Sequence, residues 1–173
     1  MRNDFYKYYD SEAENGKIIR IAKNQYTLFY GKGVDEENEN AVFVWRKDYD
    51  HLPSRSEAKA DVEALINGMT DEKILSGFRW KDNPVWLSSE NQFNFKCAYD
   101  IAAQTNGGNL PARYKLGQDE NGTPIYYTFE DLATFNDFYT GCAEWIYKCI
   151  NEGWTEKDGV DYNSMFGRLE VEE

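Results

Sequence analysis

Histidine is almost absent from this chain of 173 residues, because His51 is the only one. A zinc site built from histidine and cysteine needs partners at ligand spacing, and neither C-x-x-C nor H-x-x-x-H occurs. A serine or cysteine nucleophile would need His51 as its base, and no nucleophile-elbow motif accompanies it. We therefore expect His51 to be a polar loop residue, and we expect no metal site and no catalytic residue.

Cysteine is also scarce, with Cys97, Cys142 and Cys149 as the three examples. An odd number argues against a closed disulfide framework. Cys142 and Cys149 are seven positions apart on a predicted helix, roughly 10 Å by helical rise, which is too far for a bridge. We expect three reduced, buried thiols.

Basic residues are outnumbered, 19 Lys and Arg against 31 Asp and Glu, which gives a net charge of −12. Such a chain repels nucleic-acid phosphates and anionic membranes, so we expect neither as a partner. No run of about 18 apolar residues is present that would span a bilayer. The opening segment, MRNDFYKYYDSEAENGK, lacks the apolar stretch of a signal peptide, so we expect the protein to be cytosolic where it is made.

Other motifs for chemistry are missing as well. The GKG at 31–33 is not a phosphate-binding loop. The acidic runs at 35–37 and at Asp48 and Asp50 lack the calcium-loop pattern and are interpreted as solvated faces. A glycosidase pair of carboxylates is defined by its separation in space, which a sequence does not give. We predict a protein that is not an enzyme and has no cofactor.

Aromatic residues are abundant, at 16%, within an apolar total of 41%, which is enough for a core. Residues 17–30 predict two short strands around a turn at Asn24, and residues 41–46 predict another. Between them, 31–40 is expected to be a surface loop. The first 16 residues contain Tyr6, Tyr8 and Tyr9 and are interpreted as a flexible arm or as a strand added to a partner.

Three helices are predicted, each from a capping signal. Ser54 or Ser56 caps a helix through Asn67, and Gly68 ends it. Ser89 with Gln92 forms a capping box that starts the second helix near Glu90. The expected buried side of that helix consists of Phe93, Cys97 and Ile101.

The last helix is predicted to begin at Thr128 with Asp131 and to end at Gly153. Its apolar positions have the spacing of helix–helix packing: Leu132, Phe135, Phe138, Tyr139, Cys142, Trp145, Ile146 and Cys149. Beyond it, an acidic tail offers Met165, Phe166 and Leu169 as anchors.

Two hairpins complete the predicted fold. One has strands around the Asn83-Pro84 bend, and the other pairs 113–116 with 123–129 across Asp119–Gly122. The fold class is α+β, with about three helices packed on short antiparallel hairpins and a small N-terminal strand region. We predict an attachment region at 1–50, a domain at 54–158 and an acidic tail at 159–173.

Tryptophan is the remaining signal. The five tryptophans are either core residues or surface anchors, and we expect Trp80 and Trp86 in the core. If exposed, they would stack on sugar rings or anchor a protein interface. The interface candidates are Tyr6, Tyr8, Tyr9, Trp45, Trp80, Trp86 and Trp154.

Four motifs in order make the chain similar to a known family: IN at 66–67, ILSGFRW at 74–80, VWLS at 85–88 and ENQFNF at 90–95. Together they resemble an uncharacterised domain of phage and prophage tail-fibre and tail-associated proteins. The resemblance covers residues 54–158, and residues 1–50 and the acidic tail lie outside it. That family has no known catalytic residues, so none is carried over.

The resemblance implies a non-enzymatic phage structural protein, either a tail-fibre component or an adaptor that links the fibre to the tail. Its expected partners are other tail or fibre proteins and further copies of itself, as a homo-oligomer. Its expected location is the tail of the virion, after synthesis in the host cytoplasm. Two alternatives stay open: an assembly chaperone of the tail fibre, and a carbohydrate-binding module with Trp80 or Trp86 as its platform.

Overall fold

The structure is a computed structural model and describes residues 4–35, 38–167 and 169. It confirms the α+β class, with helices and small antiparallel sheets. The elements in chain order are β1 (Tyr6–Tyr8), β2 (Lys17–Ala22), β3 (Gln25–Asp35), β4 (Ala41–Tyr49), α1 (Arg55–Ser76), β5 (Phe78–Trp80), β6 (Asn83–Val85), α2 (Ser89–Gln104), β7 (Ala112–Gln118), β8 (Pro124–Phe129), α3 (Leu132–Asp158) and a 3₁₀ turn (Ser164–Phe166).

The chain divides into two compact units. Unit 1 comprises 1–68 and 155–173, and unit 2 comprises 69–154. The boundaries fall inside α1 and α3, so each of these helices contributes residues to both units. The predicted domain at 54–158 contains all of α1 and α3, so it includes residues of both units.

Unit 1 is built on a four-stranded antiparallel sheet with the strand order β1-β4-β3-β2. The predicted loop at 31–40 is wrong in its first half, because β3 continues to Asp35 and its pairing with β4 extends to that residue. A bulge between Tyr30 and Lys32, with Gly31 at φ 71°, lets the strand turn and go on pairing. Asp35 is buried and lies 2.7 Å from the Lys7 ammonium, so it is not part of a solvated face.

The tyrosine-rich arm forms a strand of its own chain's sheet. Tyr6 pairs with Arg46 and Tyr8 with Val44, on the outer edge of β4. Residues 6–8 are therefore a strand at the edge of this sheet, and the addition of that strand to a partner stays a prediction. The β4 edge would otherwise present unpaired backbone groups, and β1 satisfies them within the chain.

Helix α1 runs past its predicted end. Gly68 lies inside the helix, which continues to Ser76. A glycine in a helix interior costs about 1 kcal/mol relative to alanine. Burial of Leu65 and Ile66 on one side of Gly68 and packing of Ile74 into the unit 2 core on the other offset that cost.

Unit 2 is organised around a cluster of aromatic rings. Phe129 stacks on Phe135 with a ring-centroid separation of 4.5 Å, and Phe138 lies 5.1 Å from Phe129. All three side chains are completely buried. The hairpins β5–β6 and β7–β8 and the helices α2 and α3 each contribute residues to this core.

The first hairpin of unit 2 turns one step earlier than predicted. Lys81 and Asp82 both have positive φ, at 47° and 63°, as a two-residue hairpin turn requires. Pro84 therefore lies within β6, opposite Arg79, instead of forming the bend. The second hairpin is confirmed in position, with its turn at Asp119–Gly122.

Helix α2 buries a different face from the one predicted. Its buried residues are Phe95, Ala98 and Ala102, whereas Phe93 and Ile101 are 67% and 51% exposed. Both sets repeat at helical spacing, so periodicity alone did not distinguish them. The Phe95 ring packs 5.0 Å from Phe138, and that contact fixes the orientation of the helix.

The cap of α2 is also shifted by one residue. Ser88 is the N-cap, and its hydroxyl accepts a hydrogen bond from the Asn91 backbone amide at 3.2 Å. Gln92 donates through its side chain to the Leu87 carbonyl at 2.7 Å. The predicted capping box of Ser89 with Gln92 does not form.

Helix α3 confirms most of the predicted apolar positions, with Phe135, Phe138, Cys142 and Cys149 buried. Its N-terminus is capped by Asp131 alone, which accepts from the Thr134 amide at 2.7 Å. The predicted end at Gly153 is wrong, because the helix continues to Asp158. Gly153 is buried, and a Cβ there would lie 2.5 Å from the Thr70 hydroxyl.

The C-terminal segment returns to unit 1. Met165 and Phe166 are buried, which confirms two of the three predicted anchors, and Leu169 is half-buried. The Lys17 ammonium donates to the Ser164 carbonyl at 2.8 Å. Part of the predicted acidic tail, at 168 and 170–173, lies outside the described residues, as do 36 and 37 of the acidic run.

Candidate functional site

The seven predicted interface residues do not form one surface. Trp45 and Trp80 are each only 6% exposed, so neither is available to a partner or a sugar. Trp86 and Trp154 are about half exposed, at 48% and 57%. The three tyrosines of the arm lie in unit 1, where Tyr8 is half-buried.

The exposed tyrosines of the arm are held by carboxylates. The Tyr6 hydroxyl donates to Asp48 and the Tyr9 hydroxyl donates to Asp35, each at 2.6 Å. The Arg46 guanidinium lies 5.0 Å from the centre of the Tyr8 ring. These contacts anchor the arm to the sheet, and they engage the hydroxyls of Tyr6 and Tyr9 within the chain.

Asp48 collects the polar contacts of this region. Burial acts to raise its pKa, but hydrogen bonds from Thr27, Tyr6 and Arg46 outweigh burial and hold the pKa below its usual value. Thr27 donates at 2.6 Å and Arg46 at 2.9 Å. Three of the roughly four acceptor sites of this carboxylate are thus used within the chain, and they join β1, β3 and β4.

His51 lies between two acids just before α1. One ring nitrogen is 2.8 Å from Asp50, and the other is 3.1 Å from Glu57. These hydrogen bonds, that of Asp50 first and that of Glu57 second, raise the pKa of His51 above its usual value. The imidazole is exposed and joins the β4–α1 loop to the first turn of the helix.

Trp80 and Trp86 differ because they lie on opposite faces of their hairpin. Trp80 shares the inner face with Phe78 and Val85, and its indole donates to Asp137 at 2.8 Å. Trp86 follows Val85 directly, and successive side chains of an extended strand point to opposite faces. The expectation of a core position is therefore wrong for Trp86 and confirmed for Trp80.

Trp86 lies in an open cavity of about 570 Å³, which we call the tryptophan pocket. Side chains from β6, α2 and β7 line it, with Glu90 and Asn91 on one side and Lys115 and Gln118 on another. The sequence alone points only to Trp86 as a binding residue here. Nothing in the sequence indicates that Lys115 of β7, 29 residues after Trp86, lines the same cavity.

A second feature of unit 2 is an apolar strip on α2. We call Phe93, Cys97 and Ile101 the α2 face; all three side chains are exposed. Phe93 also lines a groove of about 330 Å³ between α2 and α3. The remaining lining residues are Leu87, Ser89, Gln92, Phe95, Lys96, Tyr139, Cys142, Ala143 and Ile146.

The cysteines divide by environment. Cys142 and Cys149 are buried as expected, and burial raises the pKa of the Cys142 thiol to about 12. At that pKa the thiol remains protonated at neutral pH and acts as a small apolar group. Cys97 corrects the prediction of three buried thiols, because it lies on the exposed α2 face.

Within the described residues, no three side chains of the His, Cys, Asp and Glu types cluster as metal ligands. None of the helices in that part of the chain is long and apolar enough to cross a membrane.

The chain matches no protein-family model, no curated protein and no solved structure. The two surfaces of unit 2 and the four-motif resemblance are therefore what supports a function for the chain.

Proposed function

We propose that the chain is a non-enzymatic structural protein of a phage tail, a fibre component or an adaptor between fibre and tail, and that its α2 face docks on another tail protein. The exposure of the α2 face is the observation that supports docking. The four-motif resemblance supports the phage tail as the setting.

The α2 face has the size and spacing of a helix-recognition surface. Positions i, i+4 and i+8 present apolar side chains in a line, and Phe93 opens onto the groove between α2 and α3. Burying a fully exposed Phe or Ile side chain is worth roughly 1.5–3 kcal/mol, and Phe93 and Ile101, at 67% and 51% exposed, would each gain the corresponding part of it. An amphipathic helix laid into such a groove uses the same spacing on its own side.

The occupant that fits is a basic amphipathic helix of a neighbouring tail protein. Beside the α2 face, Lys96 pairs with Asp100 at 2.7 Å, so these two charges cancel. The long-range field is set instead by the net charge of −12. Such a field attracts a partner of opposite sign and speeds its association.

Immunogold labelling of purified particles tests the location. An antibody raised against this chain should label the tails of particles from the phage or prophage that encodes it. A protein found only in the lysate and never on particles contradicts the virion proposal. Fibre solubility that then depends on co-expression of this chain would mark it as an assembly chaperone.

Substitution of the α2 face tests the mode of docking. The double variant Phe93→Ser with Ile101→Ser should be lost from particles while remaining folded. Tyr147→Ser is the matched control, because Tyr147 is 71% exposed on α3 and does not line the groove. Incorporation of the double variant at the level of the Tyr147→Ser control contradicts docking through this face.

A further inference from the structure

Trp86 is an exposed indole on a backbone that is fixed on both sides. Its amide donates to the Leu116 carbonyl at 2.7 Å, and its carbonyl accepts from the Asn91 side chain at 2.8 Å. Gly117 lets β7 approach, since a Cβ there would lie 2.6 Å from the Pro84 carbonyl oxygen. The backbone that carries the ring is therefore held in place before any ligand arrives, which lowers the entropy cost of binding.

The polar side chains around the ring are free to bind. Glu90, Lys115 and Gln118 line the tryptophan pocket, and within the described residues their side-chain polar atoms have no hydrogen-bond or ion-pair partner. Together they offer a carboxylate that accepts hydrogen bonds, an ammonium group that donates them and an amide that donates and accepts. Hydrogen-bonding groups of both kinds thus surround a flat apolar surface.

From this arrangement we propose that the tryptophan pocket binds a neutral saccharide. A pyranose has an apolar C–H face that stacks on an indole, and a rim of hydroxyls that donate and accept hydrogen bonds. The cavity of about 570 Å³ lies within the range of about 300–1,000 Å³ that is typical of small-molecule sites.

The charges of the pocket favour neither an anionic nor a cationic ligand. Glu90 and Lys115 contribute one charge of each sign, so the free side chains that line the cavity sum to zero. The remaining lining side chains, the serines at 76 and 88 included, are uncharged. The net −12 of the chain disfavours an anionic glycan further. This proposal stands apart from docking through the α2 face, because the two surfaces share no lining residue.

Saturation-transfer NMR on the full chain tests the proposal directly. The probes are neutral tetrasaccharides of glucose, galactose and N-acetylglucosamine, with a sialic-acid oligomer as the anionic comparison. We expect at least one neutral probe to bind, with the strongest transfer to the C–H protons of one ring face. Absence of transfer to all three neutral probes, or preference for the sialic-acid oligomer, overturns the proposal.

Two tryptophan variants locate the site. Trp86→Ala should weaken binding of the neutral probe by at least about tenfold, as expected for loss of a central aromatic contact. Trp154→Ala is the matched control, since Trp154 is 57% exposed and lies outside the pocket, and it should bind as the wild type does. Equal binding by both variants overturns the proposal.

Substitutions at the rim separate stacking from hydrogen bonding. Glu90→Gln and Gln118→Ala should each weaken binding several-fold while leaving the ring protons that receive transfer unchanged. Circular dichroism confirms that each variant is folded. Wild-type affinity in both rim variants overturns the assignment of the polar groups.

Particle incorporation of Trp86→Ala should be normal, which distinguishes failure of this site from failure of docking.

Discussion

At the scale of single residues, the acidic side chains of unit 1, which are the type of group that catalysis uses, hold the fold together. Asp61 is buried and accepts hydrogen bonds from Lys47 and from the Tyr49 hydroxyl, both at 2.7 Å. Burial and the bond to Asp61 raise the pKa of Tyr49, so this hydroxyl keeps its proton and donates it. Each such acid joins a helix or the arm to the sheet, and removing one would leave its partner unsatisfied.

The lone histidine gives the sharpest test at this scale. Its imidazole resonances are unique in the chain, and we expect an apparent pKa above the usual value of about 6.5. Asp50→Asn should lower that pKa the most, and Glu57→Gln should lower it less. A two-dimensional NMR titration of the ring protons measures it, with Glu63→Gln as a control elsewhere on α1.

The sign of the pH dependence follows from the raised pKa. A protonated His51 is favoured by folding, so its contribution to stability is fully present below about pH 6.5 and is lost as pH rises through the folded pKa. Replacing His51 by alanine should therefore destabilise the protein more at pH 6 than at pH 9. A pKa of His51 at or below 6.5 would contradict the contacts with Asp50 and Glu57.

Gly117 is the residue whose replacement should disturb the tryptophan pocket without touching its polar groups. Gly117→Ala places a methyl group against the Pro84 backbone, which has little freedom to move. We expect a loss of about 1–3 kcal/mol in the free energy of unfolding, as in other overpacked sites. Gly159→Ala is the control, because a Cβ at 159 meets only ordinary contacts. Equal urea midpoints for the two variants would show that the close approach of β7 to β6 is absent.

At the scale of elements, α2 provides two phenylalanines two positions apart with opposite roles. Phe95→Ala should cost about 3–5 kcal/mol, because the ring is 3% exposed and packs against Phe138. Phe93→Ala should change stability by no more than about 0.5 kcal/mol, because that ring is 67% exposed. Urea denaturation of both variants measures this, and a larger loss for Phe93→Ala would reverse the assignment of the buried face.

The same helix shows what periodicity determines. Positions 93, 97 and 101 and positions 95, 98 and 102 both recur at helical spacing, so the sequence predicts a helix but not its orientation. The orientation is decided by Phe138 of α3, more than 40 residues away. The positions of strands and helices were mostly predictable because they depend on local patterns. Which face of an element is buried depends on packing between distant segments.

Element ends were less predictable for a related reason. Gly68 and Gly153 are reasonable helix stops by local propensity. Helix α1 continues past Gly68 because apolar side chains are buried on both sides of it. Helix α3 continues past Gly153, where the helix lies close to Thr70. Tertiary packing outweighs a propensity difference of about 1 kcal/mol.

The candidate surfaces were predictable only in part. Aromatic density pointed to Trp86, but also to Trp45 and Trp80, which are buried. Distinguishing them required the position of the turn at Lys81 and Asp82, since moving it by one residue exchanges the two faces of the strand. Lys115 and Gln118 were missed because their proximity to Trp86 depends on the contact between β6 and β7.

At the scale of the whole molecule, net charge is the property that acts on every encounter. Each copy carries a net −12, so two copies approach against repulsion whichever surfaces they use. The predicted homo-oligomer must gain more from apolar contact than it loses to this repulsion. Salt weakens the charge repulsion strongly and changes the apolar contact little. The direction in which salt changes self-association therefore shows which of the two forces dominates.

We therefore expect self-association to strengthen with salt. The Debye length falls from roughly 20 Å at about 20 mM salt to roughly 6 Å at about 300 mM, which screens most of the repulsion between copies. Sedimentation velocity over a concentration series should show a larger oligomer fraction at the higher salt. Association that weakens with salt would instead indicate an interface held by paired charges. A monomer at both salt concentrations would contradict the homo-oligomer, because screening would then have revealed no apolar contact strong enough to join two copies.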